Sequence, residues 1–211
     1  MKILFIGSVL FSRDCLLKMI EIGHSPIGVC TLEKSNFNSD HYDLSSICKE
    51  NDIPYIYSSD LNSKESIKWI KSLCPEIIFC FGWSKLLKKE LLNIPSKGVV
   101  GFHPSDLPMN RGRHPLIWAL VLGLKETAST FFFMDEGADT GDIISKKKIS
   151  INDNDNAHAL YQKVTLSAIN QLEDLINQFK TRKIKRLKQN NNSNSWRKRG
   201  IKDGKIDWRM S

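Results

Sequence analysis

The sequence has few cysteines and no long hydrophobic run, and both shortages limit what the protein can be. Its five cysteines are an odd number without paired short spacing, which argues against a disulfide framework or a zinc site. A reduced, cytoplasmic compartment suits such thiols best. No apolar run approaches the ~20 residues that a membrane-spanning helix requires. The apolar stretch in residues 1–7 is too short for a signal peptide, so we expect no membrane partner.

The chain has 211 residues and a net charge of +8, which is unevenly distributed. Residues 180–211 contain twelve Lys or Arg against Asp203 and Asp207, so the rest of the chain is slightly acidic. This contrast predicts a main domain over residues 1–179 and a basic C-terminal extension over residues 180–211. The extension is either a solvated segment or a surface for a phosphate-bearing ligand, RNA or an acidic partner.

Short apolar segments alternate with segments of helical periodicity along most of the chain. This alternation predicts a doubly wound α/β fold with a mostly parallel sheet. Residues 155–179 have an apolar stripe typical of a core-facing helix, and the Asn/Ser-rich residues 189–195 indicate a mobile loop. The expected strands are residues 2–7, 27–30, 53–57, 76–81, 99–102, 129–134 and 143–149, with 184–187 as a possible edge strand; the other expected helices are residues 13–22, capped by Ser12, 42–50, 63–73 and 115–122.

Two polar loops follow predicted strands, where α/β sheets bind ligands. Residues 101–115 contain two His, two Arg, an Asp and an Asn, and residues 134–142 contain four carboxylates in a glycine-broken loop. Together they offer a histidine base and a carboxylate to orient it. The plainer alternatives are a hydrogen-bonded structural histidine and a simple turn. The acidic spacing does not match an EF-hand, and no second histidine stands at ligand spacing, so we expect no metal.

These residues resemble those of the folate-dependent formyltransferases, which act on glycinamide ribonucleotide, methionyl-tRNA or sugar nucleotides. The resemblance rests on His-Pro-Ser-Asp-Leu-Pro at residues 103–108 and Asp-Glu-Gly-Ala-Asp-Thr-Gly-Asp at residues 135–142. Asp-Gly-Lys-Ile-Asp-Trp at residues 203–208 is similar to the segment that follows the catalytic domain in two of these branches. The resemblance implies a Rossmann-like formyltransferase fold, a catalytic domain over residues 1–179 and 10-formyltetrahydrofolate as co-substrate.

The family's catalytic trio has the pattern Asn-x-His…Asp. His103 and Asp139 match the last two members, whereas the asparagine position is Gly101 in this chain. The resemblance implies that His103 handles a proton or stabilises the oxyanion and that Asp139 orients it. We expect the carboxamide of Asn110 to replace the missing one. The alternatives are a backbone N–H group and a protein that binds ligand without catalysis.

The resemblance also implies two sets of binding residues. The sequence predicts phosphate at the turn after the first strand, on a helix N-terminus, although that turn is not a dinucleotide fingerprint. Bidentate arginines are the other expected anion ligands. The expected folate-binding residues are Trp83, Ser84, Leu87, Phe133, Met134, Asp135 and Gly137, and the expected substrate-binding residues are Gly7, Ser8, Ser105, Arg111 and Arg113.

Residues 111–120 and 129–137 resemble the bacterial sugar-amine branch of the family most. Within that branch, the resemblance implies a UDP-linked 4-amino-4,6-dideoxy sugar of a pseudaminic-acid pathway as the acceptor. Methionyl-tRNA enzymes carry a further C-terminal domain, for which this sequence, which stops at Ser211, has no residues. We therefore expect a nucleotide-sugar partner and disfavour nucleic acid, with methionyl-tRNA as the alternative acceptor. The oligomeric state is not predicted.

Overall fold

A computed structural model describes residues 1–35 and 38–205. Of the motif at residues 203–208, Ile206, Asp207 and Trp208 therefore lie outside the described residues. Within the described part of the chain, no helix is long and apolar enough to cross a membrane.

The helices and strands follow one another largely as the sequence predicts. The first half alternates strictly between the two, and the second half adds a hairpin of long strands and a 24-residue helix. The strands are β1 (Ile3–Ile6), β2 (Gly28–Thr31), β3 (Tyr55–Tyr57), β4 (Ile77–Cys80), β5 (Val99–His103), β6 (Arg111–Gly112), β7 (Glu126–Phe133), β8 (Ile143–Ser150) and β9 (Ser195–Trp196). The helices are α1 (Leu10–Glu21), α2 (Ser45–Glu50), α3 (Lys64–Ser72), α4 (Lys89–Leu92), α5 (Pro115–Val121) and α6 (Ala157–Lys180), and a 3₁₀ turn follows at Ile201–Gly204.

The main sheet has seven strands in the order β3-β2-β1-β4-β5-β7-β8. Strands β1 to β5 run parallel, whereas β7 pairs antiparallel with both β5 and β8. This arrangement confirms the predicted mostly parallel α/β fold. The chain order reverses between β1 and β4, which is where ligands bind in such sheets.

The core lies on both faces of the sheet because β1, β2 and β4 are buried along their whole length. Successive residues of a strand point to opposite faces. On β1, Phe5 therefore packs with the cluster that contains Leu172 of α6, while Leu4 packs with the cluster that contains Ile70 of α3. Because β1, β2, β4 and β5 run parallel, the loops that follow these strands share one edge of the sheet.

The start of α1 differs from the prediction that Ser12 caps a helix. The helix begins at Leu10 with Val9 as its N-cap, so Ser12 lies in its first turn. The Ser12 hydroxyl accepts from the backbone N–H groups of Ser8 and Val9, at 3.1 and 3.2 Å, and donates to the Phe81 carbonyl at 2.6 Å. This side chain therefore ties the turn after β1 to the end of β4.

The C-terminal residues pack back onto the body of the protein. Leu187 forms an isolated bridge with Ile143, so the predicted edge strand at residues 184–187 is reduced to one pair of backbone hydrogen bonds. The Asn/Ser-rich residues 189–195 were expected to form a mobile loop, but Gln189, Ser193 and Asn194 hydrogen-bond to the loop that contains β6. Strand β9 then pairs in parallel with β6. The division into domains at residues 179 and 180 stays a prediction.

Candidate active site

A cavity of about 550 Å³ opens at the carboxyl ends of β1, β4 and β5. This volume lies within the ~300–1,000 Å³ that small-molecule sites span. It is at the point where the strand order reverses, as the topology requires. Its walls come from the loops after those strands, from the end of β7 and from α6, and they include Val9, Phe11, Asp40, Gly82, Trp83, Ser84, Leu86, Gly101, Phe102, His103, Arg113, His114, Leu116, Phe132, Met134, Gly137, Asp139, Tyr161 and Thr165.

His103 and Asp139 meet at the rim of this cavity, although 36 positions separate them in the sequence. His103 ends β5 and is only 5% exposed. Its Nδ1 atom lies 3.6 Å from Asp139 Oδ2, and the same oxygen accepts from the backbone N–H group of Gly112 at 2.9 Å. A carboxylate beside one ring nitrogen supports positive charge on the imidazole. The two loops therefore bring together the histidine and the carboxylate that the sequence predicts as an acid–base pair, and their role in catalysis stays a prediction.

The Asn110 side chain is directed away from the cavity. Its Oδ1 atom accepts from Trp196 Nε1 at 2.9 Å and from Asn194 Nδ2 at 3.3 Å, and Asn110 is not among the cavity-lining residues. Its backbone carbonyl instead accepts from His103 Nε2 at 2.9 Å. A carbonyl can only accept, so Nε2 carries the proton. The Asn110 backbone carbonyl thus orients the His103 ring, and its carboxamide is committed to the C-terminal residues.

The space beside Gly101 is already filled. A Cβ atom at this position would lie 2.8 Å from Met134 Cγ and 3.0 Å from the Phe132 ring. Contacts this short do not occur between carbon atoms without displacement of one of them. The Gly101 backbone therefore faces the cavity, while two apolar side chains occupy the position that the family's asparagine would need.

The predicted folate-binding residues divide into two groups. Trp83, Ser84, Met134 and Gly137 line the cavity. Leu87, Phe133 and Asp135 are not among the lining residues, because Leu87 and Phe133 are buried in the core and Asp135 accepts from Gly137 and Thr140 within its own loop. Alternation along β7 turns Phe132 rather than Phe133 toward the cavity, and Leu86 lines it in place of Leu87.

Among the predicted substrate-binding residues, only Arg113 lines the cavity. Arg111 donates to Gln189 and Ser193, and the Ser105 hydroxyl donates to the Met109 carbonyl. Both side chains therefore shape the loop instead of facing the cavity.

The turn after β1 does not offer the phosphate site that the sequence suggests. The backbone N–H group of Gly7 donates to the Cys30 carbonyl, and that of Ser8 donates to the Ser12 hydroxyl. Ser8 is 1% exposed, and neither residue lines the cavity. Because these donors already have partners inside the protein, the expected phosphate contact at Gly7 and Ser8 does not form in this arrangement.

One wall of the cavity, formed by Phe11, Phe102, Asp40 and Tyr161, contains none of the residues that the sequence predicts for the site. Phe11 and Phe102 stack there with ring centroids 4.3 Å apart. The Tyr161 hydroxyl donates to Asp40 at 3.1 Å, and both burial and the Asp40 charge raise the pKa of this tyrosine. Tyr161 follows Leu160 of the apolar stripe of α6, but nothing in the sequence pairs it with Asp40. Asp40 therefore places a carboxylate on this wall of the cavity.

Two further titratable groups on the walls have altered acidity. Burial raises the pKa of Cys80 to about 12, so this thiol is neutral and not a nucleophile near neutral pH. Burial, together with the charges of Arg113, Lys198 and Arg199, lowers the pKa of His114.

Among residues 1–35 and 38–205, no cluster of His, Cys, Asp and Glu has the geometry to hold a metal ion.

Known proteins share both the sequence and the fold. The chain is 35% identical over 168 residues to the methionyl-tRNA formyltransferase of Clostridioides difficile, covering 78% of this chain and 54% of the relative. It is 30% identical to the enzyme of the same name from Geobacter sulfurreducens, covering 99% of this chain and 67% of the relative. The chain thus spans about half to two thirds of the length of these relatives.

A solved structure extends the comparison to the fold. The N-formyltransferase from Helicobacter canadensis, solved in complex with folinic acid and dTDP-3-aminofucose, superposes with a TM-score of 0.74 at 22% identity, covering 92% of this chain and 71% of the other. At this identity the likeness is one of fold. A model of the formyl transferase family matches residues 1–175, which include both loops of the acid–base pair. The chain belongs to the formyl transferase family.

Proposed function

We propose that this protein transfers a formyl group from 10-formyltetrahydrofolate to the primary amine of a nucleotide-linked amino sugar. The observation that carries the proposal is the His103–Asp139 pair at the rim of a cavity of about 550 Å³. The wall formed by Trp83, Ser84 and Met134 would receive the folate. Folinic acid in the H. canadensis structure supports a formyl-folate co-substrate.

In the proposed reaction, the neutral amine of the acceptor attacks the formyl carbon and a tetrahedral oxyanion forms. The bond between this carbon and N10 of the folate then breaks, the amine loses a proton and N10 gains one. Once Nε2 has exchanged the Asn110 carbonyl for the substrate, His103 gives the proton on Nε2 to N10 and then takes the proton that the amine loses. Asp139 stays beside Nδ1 and stabilises the imidazolium. Such acid–base help contributes about 10²–10⁴-fold to a rate.

The wall formed by Phe11, Phe102, Asp40 and Tyr161 favours a sugar nucleotide as the acceptor. Aromatic rings such as those of Phe11 and Phe102 pack against the apolar face of a sugar or a nucleobase. Asp40 can accept from the hydroxyl groups of a sugar, while Arg113 at the rim can bind phosphate. A UDP-linked 4-amino-4,6-dideoxy sugar of a pseudaminic-acid pathway is our specific candidate within this class.

Methionyl-tRNA is the second candidate acceptor. The relatives at 30–35% identity are methionyl-tRNA formyltransferases, and the basic extension would suit a nucleic acid. This candidate predicts that binding of the tRNA weakens steeply as salt is raised, because each neutralised phosphate releases counterions. A sugar-nucleotide enzyme would bind tRNA only weakly at physiological salt.

The test is formyl transfer from 10-formyltetrahydrofolate to a panel of amino-sugar nucleotides and to methionyl-tRNA. The expected product is an N-formyl sugar nucleotide, heavier than its precursor by the mass of CO, which mass spectrometry detects. His103→Ala and Asp139→Ala should each lower kcat by at least ~10²-fold. The exposed Glu136→Gln in the same loop is the control and should leave kcat unchanged.

The outcomes separate the alternatives. Formylation of methionyl-tRNA alone would replace the sugar proposal with the second candidate. The absence of any product, with folate still bound, would favour a non-catalytic protein of the same fold. We also propose a cytoplasmic location, because all five cysteines are free and four of them are buried.

A further inference from the structure

Gln189 lies outside the matched family region, which ends at residue 175, yet its side chain contacts the catalytic loop. Its Nε2 atom donates to the backbone carbonyls of Asp139, at 2.9 Å, and Gly141, at 2.7 Å. Its Oε1 atom accepts from Nε and Nη2 of Arg111, at 3.1 and 2.6 Å. A carboxamide has two N–H donors and two acceptor positions, and here all four are used.

The contacts of Gln189 join the two loops that build the acid–base pair. Arg111 belongs to the loop that follows His103, and Asp139 and Gly141 belong to the acidic loop. Arg111 is held further by Ser193, which accepts from its Nη1 atom at 3.1 Å. Gln189 is half-buried, whereas its neighbours Lys188 and Asn190 are exposed. The Gln189 side chain therefore joins the two loops, whereas the residues on either side of it face solvent.

Asp139 needs such a support because its backbone is in an unfavourable conformation. Its φ angle is +57°, in the left-handed region that residues with a Cβ atom seldom adopt. Gly141 packs directly on β7, since a Cβ atom there would lie 1.8 Å from the Phe133 carbonyl oxygen. By bonding both carbonyls, Gln189 links the strained residue to a glycine that packs directly against β7. The Asp139 carboxylate consequently stays 3.6 Å from His103 Nδ1.

We propose that Gln189 is a positioning residue for formyl transfer, through which the C-terminal residues hold Asp139 against His103. This proposal rests on the formyl transfer proposed above. It assigns a role in the reaction to a residue beyond the matched family region. Displacement of a catalytic group by about 1 Å can cost ~10²-fold in rate, so loss of this support has a measurable effect.

The test compares Gln189→Ala and Gln189→Glu with Asn191→Ala, an exposed carboxamide two residues away. Glutamate keeps the reach and still accepts from Arg111, but an ionised carboxylate cannot donate to the Asp139 and Gly141 carbonyls. We expect kcat to fall about 10- to 100-fold in both Gln189 variants, with KM for the acceptor unchanged. Asn191→Ala should match the wild type. Thermal unfolding shows that each variant is folded.

Each outcome bears on the proposal. A wild-type kcat in Gln189→Ala would overturn the proposal. A wild-type kcat in Gln189→Glu alone would also overturn it, because the bond to Arg111, which glutamate keeps, would then be sufficient. Where the wild type and Asn191→Ala transfer formyl, such a failure leaves the proposed function intact. If the wild type transfers none, the proposed function fails, and NMR of the His103 ring nitrogens still decides the positioning. The chemical shifts of these nitrogens should change in both Gln189 variants and not in Asn191→Ala. Unchanged chemical shifts in the Gln189 variants would overturn the positioning role.

Discussion

Gly101 shows how a change at one residue is matched by its neighbours. Met134 and Phe132 occupy the volume that a larger side chain would need, at 2.8 and 3.0 Å from an added Cβ atom. The family's asparagine is thus replaced by a glycine together with two apolar side chains. Under the proposed mechanism, an oxyanion formed at this point would be stabilised by the Nε2–H group of His103, two residues further along β5.

Restoring the asparagine should therefore destabilise the protein. Forcing extra atoms into a packed site costs about 1–3 kcal/mol. For a chain of this size each kcal/mol lowers Tm by about 2–4 °C, so Gly101→Asn should unfold several degrees earlier. Adding Met134→Ala should recover much of the loss, because it removes the Cγ atom nearest to the new side chain. Equal Tm values for the single and double variants, measured by calorimetry, would contradict this packing argument.

His114 makes stability depend on pH. Its folded-state pKa is lowered, first by burial and then by Arg113, Lys198 and Arg199. The folded protein therefore binds this proton more weakly than the unfolded chain, whose histidine titrates near pH 6.5. The stabilisation is present above pH 6.5 and is lost as the pH falls through the lower, folded-state pKa.

The replacement His114→Asn should remove this pH dependence. The φ angle of His114 is +56°, and asparagine tolerates the left-handed region better than most residues. The drop in Tm between pH 7 and pH 5 should be smaller in this variant than in the wild type, as thermal melts at the two pH values will show. The matched control His158→Asn, at an exposed histidine, should keep the wild-type drop.

At the scale of elements, Ser12 links α1 to two strands. Its hydroxyl satisfies the Ser8 and Val9 N–H groups after β1 and the Phe81 carbonyl after β4, and it is fully buried. Ser12→Ala leaves these groups without a partner, at about 1–3 kcal/mol each. We expect a Tm lower by at least about 4 °C. Ser72→Ala, an exposed serine at the end of α3, should change Tm little. A Tm for Ser12→Ala that equals the control's would contradict the assigned role.

The strand and helix order could be predicted because each element carries its own periodicity. His103 and Asp139 were predicted as a pair because each lies in a polar loop that follows a predicted strand and the two loops together resemble the family motif. The antiparallel direction of β7, which the sequence does not show, means that the Asp139 loop starts at the opposite edge and runs back to His103. Leu87 and Phe133 were placed one residue away from the true lining residues, since a loop or strand pattern does not show which face a side chain takes. The roles of Asn110 and Gln189 depend on contacts over 84 and 50 positions, which no local pattern records.

At the scale of the whole molecule, the cavity is assembled from residues that span positions 9 to 165. The loop after β4, the loop after β5 and α6 each contribute a wall, and the C-terminal residues hold the rim from outside. Unfolding separates all of these walls. A ligand that contacts several of them therefore binds the folded state alone and stabilises the molecule as a whole.

Folinic acid, a stable formyl-folate, should consequently raise Tm. At a concentration of 100 times Kd, binding to the folded state adds about 2.7 kcal/mol, which corresponds to a rise of about 5–10 °C. Trp83→Ala removes one wall of the folate side and should lose most of this rise. Trp118→Ala is the matched control: Trp118 stacks on Trp196, is not among the lining residues and should show the full rise above its own baseline. An equal rise in both variants would mean that folate binds elsewhere on the protein.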